Sequence, residues 1–165
     1  MIQLLSKKTK ELDTISIRKI LSIKNEHWCF GMKSQQEFFE KNIQNNDLHN
    51  LLLYKSNIIG YTCLRKRNFV NKKGFFFYFD TLIIKNKYRD KGFSKILMLF
   101  NNFIIKENKL PAFLVCKKEM IAFYKKFLWN RKSNIHFVGL KKFDQCMSFN
   151  NVPKNRINSK LIVNL

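Results

Sequence analysis

The stretch from Phe75 to Lys106 constrains this chain more than any other: FFFYFDTLII, then KNKYRDKG, then FSKILMLFNNFIIK. The first segment is dominated by aromatic and β-branched side chains, which pack well on a pleated surface, and it is far too short to cross a membrane. It predicts a strand. Phe93, Ile96, Leu97, Phe100 and Ile104 recur at helical spacing and predict an apolar helix face. Gly92 falls at the turn between the two. A glycine there admits positive φ and lets another molecule approach the backbone, while the first N–H groups of the following helix have no acceptor inside it. Strand, tight basic loop and helix together predict an anion cradle. Strict alternation along the strand would put Phe76, Tyr78, Asp80, Leu82 and Ile84 on one face. Asp80 is the odd member, since a carboxylate in an apolar strand is costly to bury unless paired or solvated.

Composition bounds the rest. A chain of 165 residues has the length of one domain and can bury a real core, and 45% hydrophobic content with 17 phenylalanines argues against disorder except at the ends. Cys29, Cys63, Cys116 and Cys146 are scattered without a C-x-x-C pair, which argues against a zinc site or a secreted disulfide framework and for reduced thiols in a cytoplasm. The opening MIQLLSKKTKELD has no long apolar core and no small-residue cleavage site, and no apolar run reaches spanning length. The expectation is a soluble, cytoplasmic protein without a membrane span. The formal charge of +21 has two readings. One is an electrostatic footprint for a polyanion. The other, which we prefer, is compositional: lysine dominates, asparagine and isoleucine are also abundant, and the charge is spread along the chain in no long block.

In chain order, Ile2 to Leu5 predicts a short strand and about Lys10 to Lys24 a helix with Ile17, Ile20 and Leu21 inward. The segment Asn25 to Met32 reads as a loop carrying Glu26, His27, Trp28 and Phe30. Ser34-Gln35-Gln36-Glu37 has the capping-box pattern and predicts a second helix with Phe38, Phe39 and Ile43 inward. Strands are expected at His49 to Tyr54 and Ile58 to Arg67, joined by Lys55-Ser56-Asn57, with Asn71 to Gly74 closing the next hairpin. His49 lacks a partner at metal spacing and reads as a strand residue. Leu110-Pro111 ends the central helix, Ala112 to Cys116 predicts a buried strand, and Ile121, Tyr124, Phe127 and Leu128 fall at helical spacing. Ile135 to Leu140 and Gln145 to Phe149 read as a closing hairpin across Lys141 to Asp144. The tail, Asn150 to Leu165, reads as a loose end or, through Leu161-Ile162-Val163, a strand lent to a second copy in a homodimer.

Three of these segments resemble the GNAT N-acetyltransferase superfamily. Arg89-Asp90-Lys91-Gly92-Phe93-Ser94 matches the pyrophosphate-loop pattern Gln/Arg-x-x-Gly-x-Gly/Ala, with serine at the last position. Ile58-Ile59-Gly60-Tyr61 resembles the start of the family's third strand. IAFYKKFLW resembles Ile-x-Phe-Tyr-x-x-x-Gly-Phe, with Leu128 where glycine is usual and Trp129 where phenylalanine is usual. Met147 also stands where the family often has methionine. The match runs from Ile58 to Phe149, and more weakly before that.

The resemblance implies an α/β fold with a mixed, largely antiparallel sheet flanked by helices: one acyltransferase domain over residues 1–149, then the tail, 150–165. It implies acetyl coenzyme A as donor, its pyrophosphate on the backbone of Arg89, Asp90, Lys91, Gly92, Phe93 and Ser94, with Lys87 and Lys95 assisting and Leu82, Ile83 and Ile84 lining the cofactor, and no metal. A backbone N–H near Ile84 would stabilise the charge on the reacting carbonyl oxygen. Tyr124 takes the place of the tyrosine that protonates the departing thiolate, and Lys117 that of an asparagine which contacts the cofactor. Asp80 would act as the base, directly or through water; the alternative is a structural pair with Arg65 or Arg67. The resemblance leaves the acceptor open; a small-molecule amine, an amino sugar or its nucleotide-linked form, best fits the aromatic and polar loop around Trp28, and would be met by Glu26, His27, Trp28 and Tyr78. A protein N-terminus or lysine is the enzyme alternative. An RNA-binding module on the same fold is the alternative from another class, but the aromatics lie in buried-looking runs, so no specific nucleic-acid partner is expected.

Overall fold

Asp13 starts the first helix. The computed structural model, which describes residues 1–70, 73–132, 135–137, 145–150 and 161–163, has the Asp13 carboxylate accepting from the Ser16 N–H at 2.6 Å. Helix α1 accordingly runs Thr14–Trp28, and Thr9–Glu11 forms a separate 3-10 turn. The apolar spacing alone had placed this helix earlier, because it cannot sense which side chain caps the first turn. Glu26, His27 and Trp28 therefore sit in the last turn of α1, not in a loop. The capping box at Ser34 does not form either: α2 runs Met32–Asn42 with Gly31 at its N-cap, φ 88°. Gly31 N–H donates to Asn25 Oδ1 at 2.7 Å and Gly31 O accepts from Gln35 N–H at 3.1 Å, so the chain turns before reaching Ser34. Phe39 is buried, but Phe38, expected inward, is 38% exposed, with Lys24 Nζ 4.5 Å above its ring.

The strands are β1 (Ile2–Lys8), β2 (Leu48–Tyr54), β3 (Asn57–Asn68), β4 (Phe75–Ile84), β5 (Ala112–Cys116), β6 (Asn130–Arg131), β7 (Ile135–Phe137), β8 (Gln145–Phe149) and β9 (Leu161–Val163), with α3 at Phe93–Glu107 and α4 at Ile121–Lys125. A seven-stranded sheet has the order β1-β2-β3-β4-β5-β8-β6. The β4–β5 pair is parallel, Phe77 opposite Ala112 and Tyr78 opposite Phe113, while β1–β2, β2–β3, β5–β8 and β6–β8 are antiparallel. A parallel pair needs a crossover, and α3 supplies it. The fold class expected from the sequence is thus the one found; among the described residues β8 pairs with β5 and β6, and β7 pairs in parallel with β9 in a separate two-stranded sheet, while residues 138–144 of the expected closing hairpin lie outside them. The expected turns at Asn71-Lys72 and Lys141 to Asp144, and residues 151–160 of the tail, lie outside the described residues.

By internal contacts the chain has two compact units, Met1–Arg65 with Thr81–Asn101, and Lys66–Asp80 with Asn102–Leu165. In the first, Ile20 and Ile23 of α1 pack with Leu51, Ile58, Tyr61, Cys63 and Ile83, and Leu97 of α3 packs with Leu52, Ile59 and Ile84. Gly60 makes the second cluster possible: a Cβ there would lie 2.7 Å from Ile84 Cδ1 and 3.2 Å from Leu97 Cδ2. In the second unit Phe69, Phe76 and Phe113 meet edge to face or tilted, and Trp129 stacks on Phe149 at 5.4 Å between ring centres.

One expectation about a buried face is overturned. The buried face of α3 is Leu97, Met98, Asn101, Asn102 and Ile105, while Phe93, Ile96, Phe100 and Ile104 are half-buried. Two asparagines draw the helix round. Asn101 Oδ1 accepts from Asn50 Nδ2 and the Thr62 hydroxyl in the first unit. In the second, Asn102 accepts from the Trp129 indole N–H and donates to Phe127 O. The β2–β3 ladder shifts by one residue, with Leu52 opposite Gly60 and Leu53 opposite Ile58, so Ile59 is the extra residue of a β-bulge in β3. Ile59 O accepts from Lys85 N–H. Ile83 joins the cluster on α1, with Leu82 and Ile84 on the cluster at α3.

His49 is a buried hub of the first unit, its Nδ1 2.8 Å from the Tyr61 hydroxyl and its Nε2 2.9 Å from the Thr9 hydroxyl. Burial pushes its pKa down from 6.5 to about 4. The folded state then holds His49 neutral where the unfolded state takes up a proton, so stability falls as pH drops from about 6.5 toward about 4, by up to ~3 kcal/mol. Urea unfolding followed from pH 7 to 4.5 should reveal this loss. The variant His49→Gln should be less stable at pH 7 but have a flatter profile; equal slopes in the two proteins would refute the assignment.

Candidate active site

The loop from β4 to α3 is built by short-range bonds. Tyr88 N–H donates to Lys85 O and Arg89 N–H to Asn86 O, closing the 3-10 turn Asn86–Tyr88. Asp90 and Gly92 both take positive φ, 59° and 78°, the first a conformation that aspartate tolerates and the second one that favours glycine. The Gly92 carbonyl accepts from Lys95 and Ile96 N–H, so the helix is engaged from its first turn. Helix geometry leaves the N–H groups of Phe93 and Ser94 without intrahelical acceptors at the positive end of α3. A Cβ added at Gly92 would meet nothing within 4 Å. Open space thus adjoins the backbone where the donors of a cradle should be.

The basic side chains are placed less simply. Arg89 Nε donates to Ile84 O at 3.1 Å, and its Nη2 lies 2.9 Å from His27 Nδ1. Lys91 Nζ donates to Lys87 O, and the Lys87 and Lys91 ammonium groups lie 5.2 and 5.9 Å from the centre of the Tyr88 ring. Tyr88 in turn meets Tyr54 and Phe93 edge on. Glu26 Oε1 accepts from Asn86 N–H at 3.3 Å. Glu26 and His27, expected at an acceptor site, are thus brought to the loop expected to hold the donor. Burial and the Arg89 charge both hold the His27 pKa below its ordinary value. Trp28 packs against the α1 cluster, edge on to His27.

Ile83 and Ile84 are buried and Leu82 is half-buried. Lys85 N–H is taken up by Ile59 O. Since backbone N–H groups alternate sides along a strand, that of Ile84 points away from β3.

In the second unit Tyr124 is the fourth residue of α4, with Phe79, Phe123 and Trp129 at 6.2, 5.1 and 6.4 Å between ring centres. Burial first, and Cys116 second, push its pKa up to about 12. The phenol therefore carries its proton throughout the neutral range. Asp80 and Tyr78 are half-buried in β4, and Lys117 stands before the turn that leads into α4, its carbonyl accepting from Met120 N–H. Leu128 lies beyond the helix, 70% exposed with φ 64°, and not on its apolar face. Its left-handed backbone accounts for the glycine usual at that position in the family it resembles. Sequence reasoning missed Asn102, which bonds both Phe127 O and Trp129 Nε1 after α4; the signal was a polar pair, Asn101-Asn102, inside an apolar helix. Among the described residues no group of His, Cys, Asp or Glu could hold a metal ion, and no helix is long and apolar enough to cross a membrane.

Comparison with known proteins adds to this geometry. The model of the acetyltransferase (GNAT) family matches residues 16–128. An acyl-CoA N-acyltransferase from Pseudomonas aeruginosa superposes with a TM-score of 0.70 at 14% identity, covering 90% of this chain and 99% of that one. The ribosomal-protein-S18-alanine N-acetyltransferase from Escherichia coli gives 0.66 at 14%, covering 94% and 99%. Bacillus subtilis YlbP, an N-acetyltransferase solved in complex with coenzyme A, gives 0.59 at 12%, covering 92% and 97%. These structural likenesses speak to the fold. No curated protein matches by sequence.

The glycine at the cradle yields a test that needs no ligand. Because φ is positive and the space is open, Gly92→Val should cost ~1–3 kcal/mol through backbone strain alone. Gly92→Asn, a residue that tolerates this region, should cost clearly less. Chemical denaturation of both variants measures the difference, and equal losses would contradict the left-handed assignment.

Proposed function

The chain belongs to the GNAT acetyltransferase family, and on that premise we propose that it moves an acetyl group from acetyl coenzyme A to the primary amine of a cytoplasmic small molecule. The observation that carries this reading is the loop Arg89–Ser94, with Gly92 at φ 78° and nothing within 4 Å of where its side chain would be. A pyrophosphate fits such a place: free helix-terminal N–H groups, the positive end of the α3 dipole, and a backbone that a ligand can approach closely. Asp90, Lys91, Gly92, Phe93 and Ser94 would hold it through their backbone, and Lys87 and Lys95 would add positive charge.

Bound coenzyme supplies the acetyl group as a thioester, whose carbonyl carbon is open to attack. The chain contributes the rest. Asp80 receives the proton that the amine nitrogen sheds as its bond to the acetyl carbon forms. The outward N–H of Ile84 donates to the carbonyl oxygen as it gains charge. Tyr124 gives its proton to the sulfur as the carbon–sulfur bond breaks; its phenol, with a pKa pushed up to about 12 by burial, holds that proton throughout the neutral range. For the acceptor, Trp28 at the end of α1 and the 71% exposed Phe30 beyond it offer flat apolar faces suited to a sugar ring. An amino sugar, free or nucleotide-linked, is the acceptor class we favour.

Two measurements test this reading. Coenzyme A at a hundredfold excess over its Kd should stabilise the protein by ~2.7 kcal/mol, a rise in Tm of about 5 to 10 °C. Tyr124→Phe should lower kcat about 10²-fold while leaving coenzyme affinity nearly unchanged, since a general acid acts on the transition state. No thermal shift in a folded sample, or full activity in the variant, would sink the donor or the acid assignment respectively. Acetylation assayed across amino sugars, small polyamines and peptide amines then identifies the acceptor.

A further inference from the structure

Two consecutive residues at the end of α1 grip both ends of the 3-10 turn that opens the β4–α3 loop. At its start, Glu26 Oε1 accepts from Asn86 N–H at 3.3 Å, a donor that the turn itself cannot satisfy. At its end, Arg89 Nη2 donates to His27 Nδ1 at 2.9 Å. His27 can accept there only as the neutral imidazole protonated on Nε2. Arg89 simultaneously donates from Nε to Ile84 O, so its guanidinium ties the end of the turn to the end of β4 and to α1. Both groups it reaches belong to the chain.

We propose that Glu26 and His27 are positioning residues for the coenzyme loop, acting through Asn86 and Arg89, and that Arg89 serves as the loop's internal brace and not as a phosphate ligand. This inference rests on the coenzyme-binding reading above. It assigns the end of α1 to the donor side of the reaction, where the sequence had assigned Glu26 and His27 to the acceptor. The loop must present several N–H groups to one anion at once, and a loop already held in that shape loses less freedom on binding. Both side chains are exposed, so their replacement leaves the core intact.

The test compares His27→Phe, which removes the acceptor atom, with His27→Asn, whose Oδ1 can stand where Nδ1 stood. Coenzyme A binding is measured by calorimetry. His27→Phe should weaken binding about fivefold, the equivalent of one net hydrogen bond, and His27→Asn should restore it to within about twofold of wild type. Glu26→Ala, which frees the other end of the turn, should weaken it to a similar degree. With an acceptor in hand, His27→Phe should raise the KM for acetyl coenzyme A and leave that of the amine unchanged. Wild-type-like coenzyme affinity in both His27→Phe and Glu26→Ala overturns the proposal, as does a rise confined to the amine KM. If wild-type protein itself fails to bind coenzyme A, the functional reading falls, and this inference with it.

Discussion

The missing side chain at Gly60 is the constraint on which the first unit depends. A Cβ there would lie 2.7 Å from Ile84 Cδ1, so that side chain would have to shift, and 3.2 Å from Leu97 Cδ2 and 3.3 Å from Leu52 Cβ, so those would have to give by a few tenths of an ångström. Two of those neighbours flank the β4–α3 loop. Ile84 is the last residue of β4, and Leu97 stands one turn into α3. Interiors are close-packed, so a larger residue at Gly60 would press on side chains at both ends of the loop.

Above that contact the structure relies on buried polar groups. Asn50, Thr62 and Asn101 form one buried set, and Thr9, His49 and Tyr61 another. Such groups add little net stability when paired and cost much when left alone, so their effect is to make wrong arrangements expensive. Asn101 and Asn102 fix the rotation of α3 in this way. An apolar stripe of Phe93, Ile96, Phe100 and Ile104 would allow the helix to roll; two asparagines that must each find their partners do not.

This explains which parts of the fold were legible in the sequence. The strands and α3 announced themselves by composition and period, and Gly92 by its place between them. The start of α1 was missed because the cap at Asp13 outweighs periodicity, and that of α2 because Gly31 is held by Asn25, a bond within the tertiary structure. The bulge at Ile59 in β3 was not foreseen, because one extra residue in a strand leaves no mark in composition. Adjacency in sequence suggested a hairpin into β8; among the described residues β8 finds its partners in β5 and β6. In the candidate site, the resemblance brought attention to Tyr124 and to the loop. That Arg89 turns back toward Ile84 and His27 depends on α1 ending where it does, and so could not be read before that boundary was known.

The charge of +21 takes on a more specific meaning in this light. Several of its cations are engaged with the chain itself: Lys24 over Phe38, Lys66 over Phe75, Lys87 and Lys91 near Tyr88, Lys106 near Phe149, and Arg89 on a carbonyl and an imidazole. Cation–π contacts of this kind are worth ~0.5–1 kcal/mol at exposed sites, and they hold the ammonium against a ring without neutralising it. At the β4–α3 loop, therefore, the basic side chains shape the turn and raise the local potential, while under the proposed reading hydrogen-bond donation to an anion would fall to backbone N–H groups. Division of labour of this kind separates affinity from specificity. The diffuse positive field attracts any anion and weakens with salt, whereas a cradle of fixed N–H groups around an open glycine selects by shape. On the proposed reading, a lysine-rich chain would then carry its phosphate site without relying on where any one lysine points.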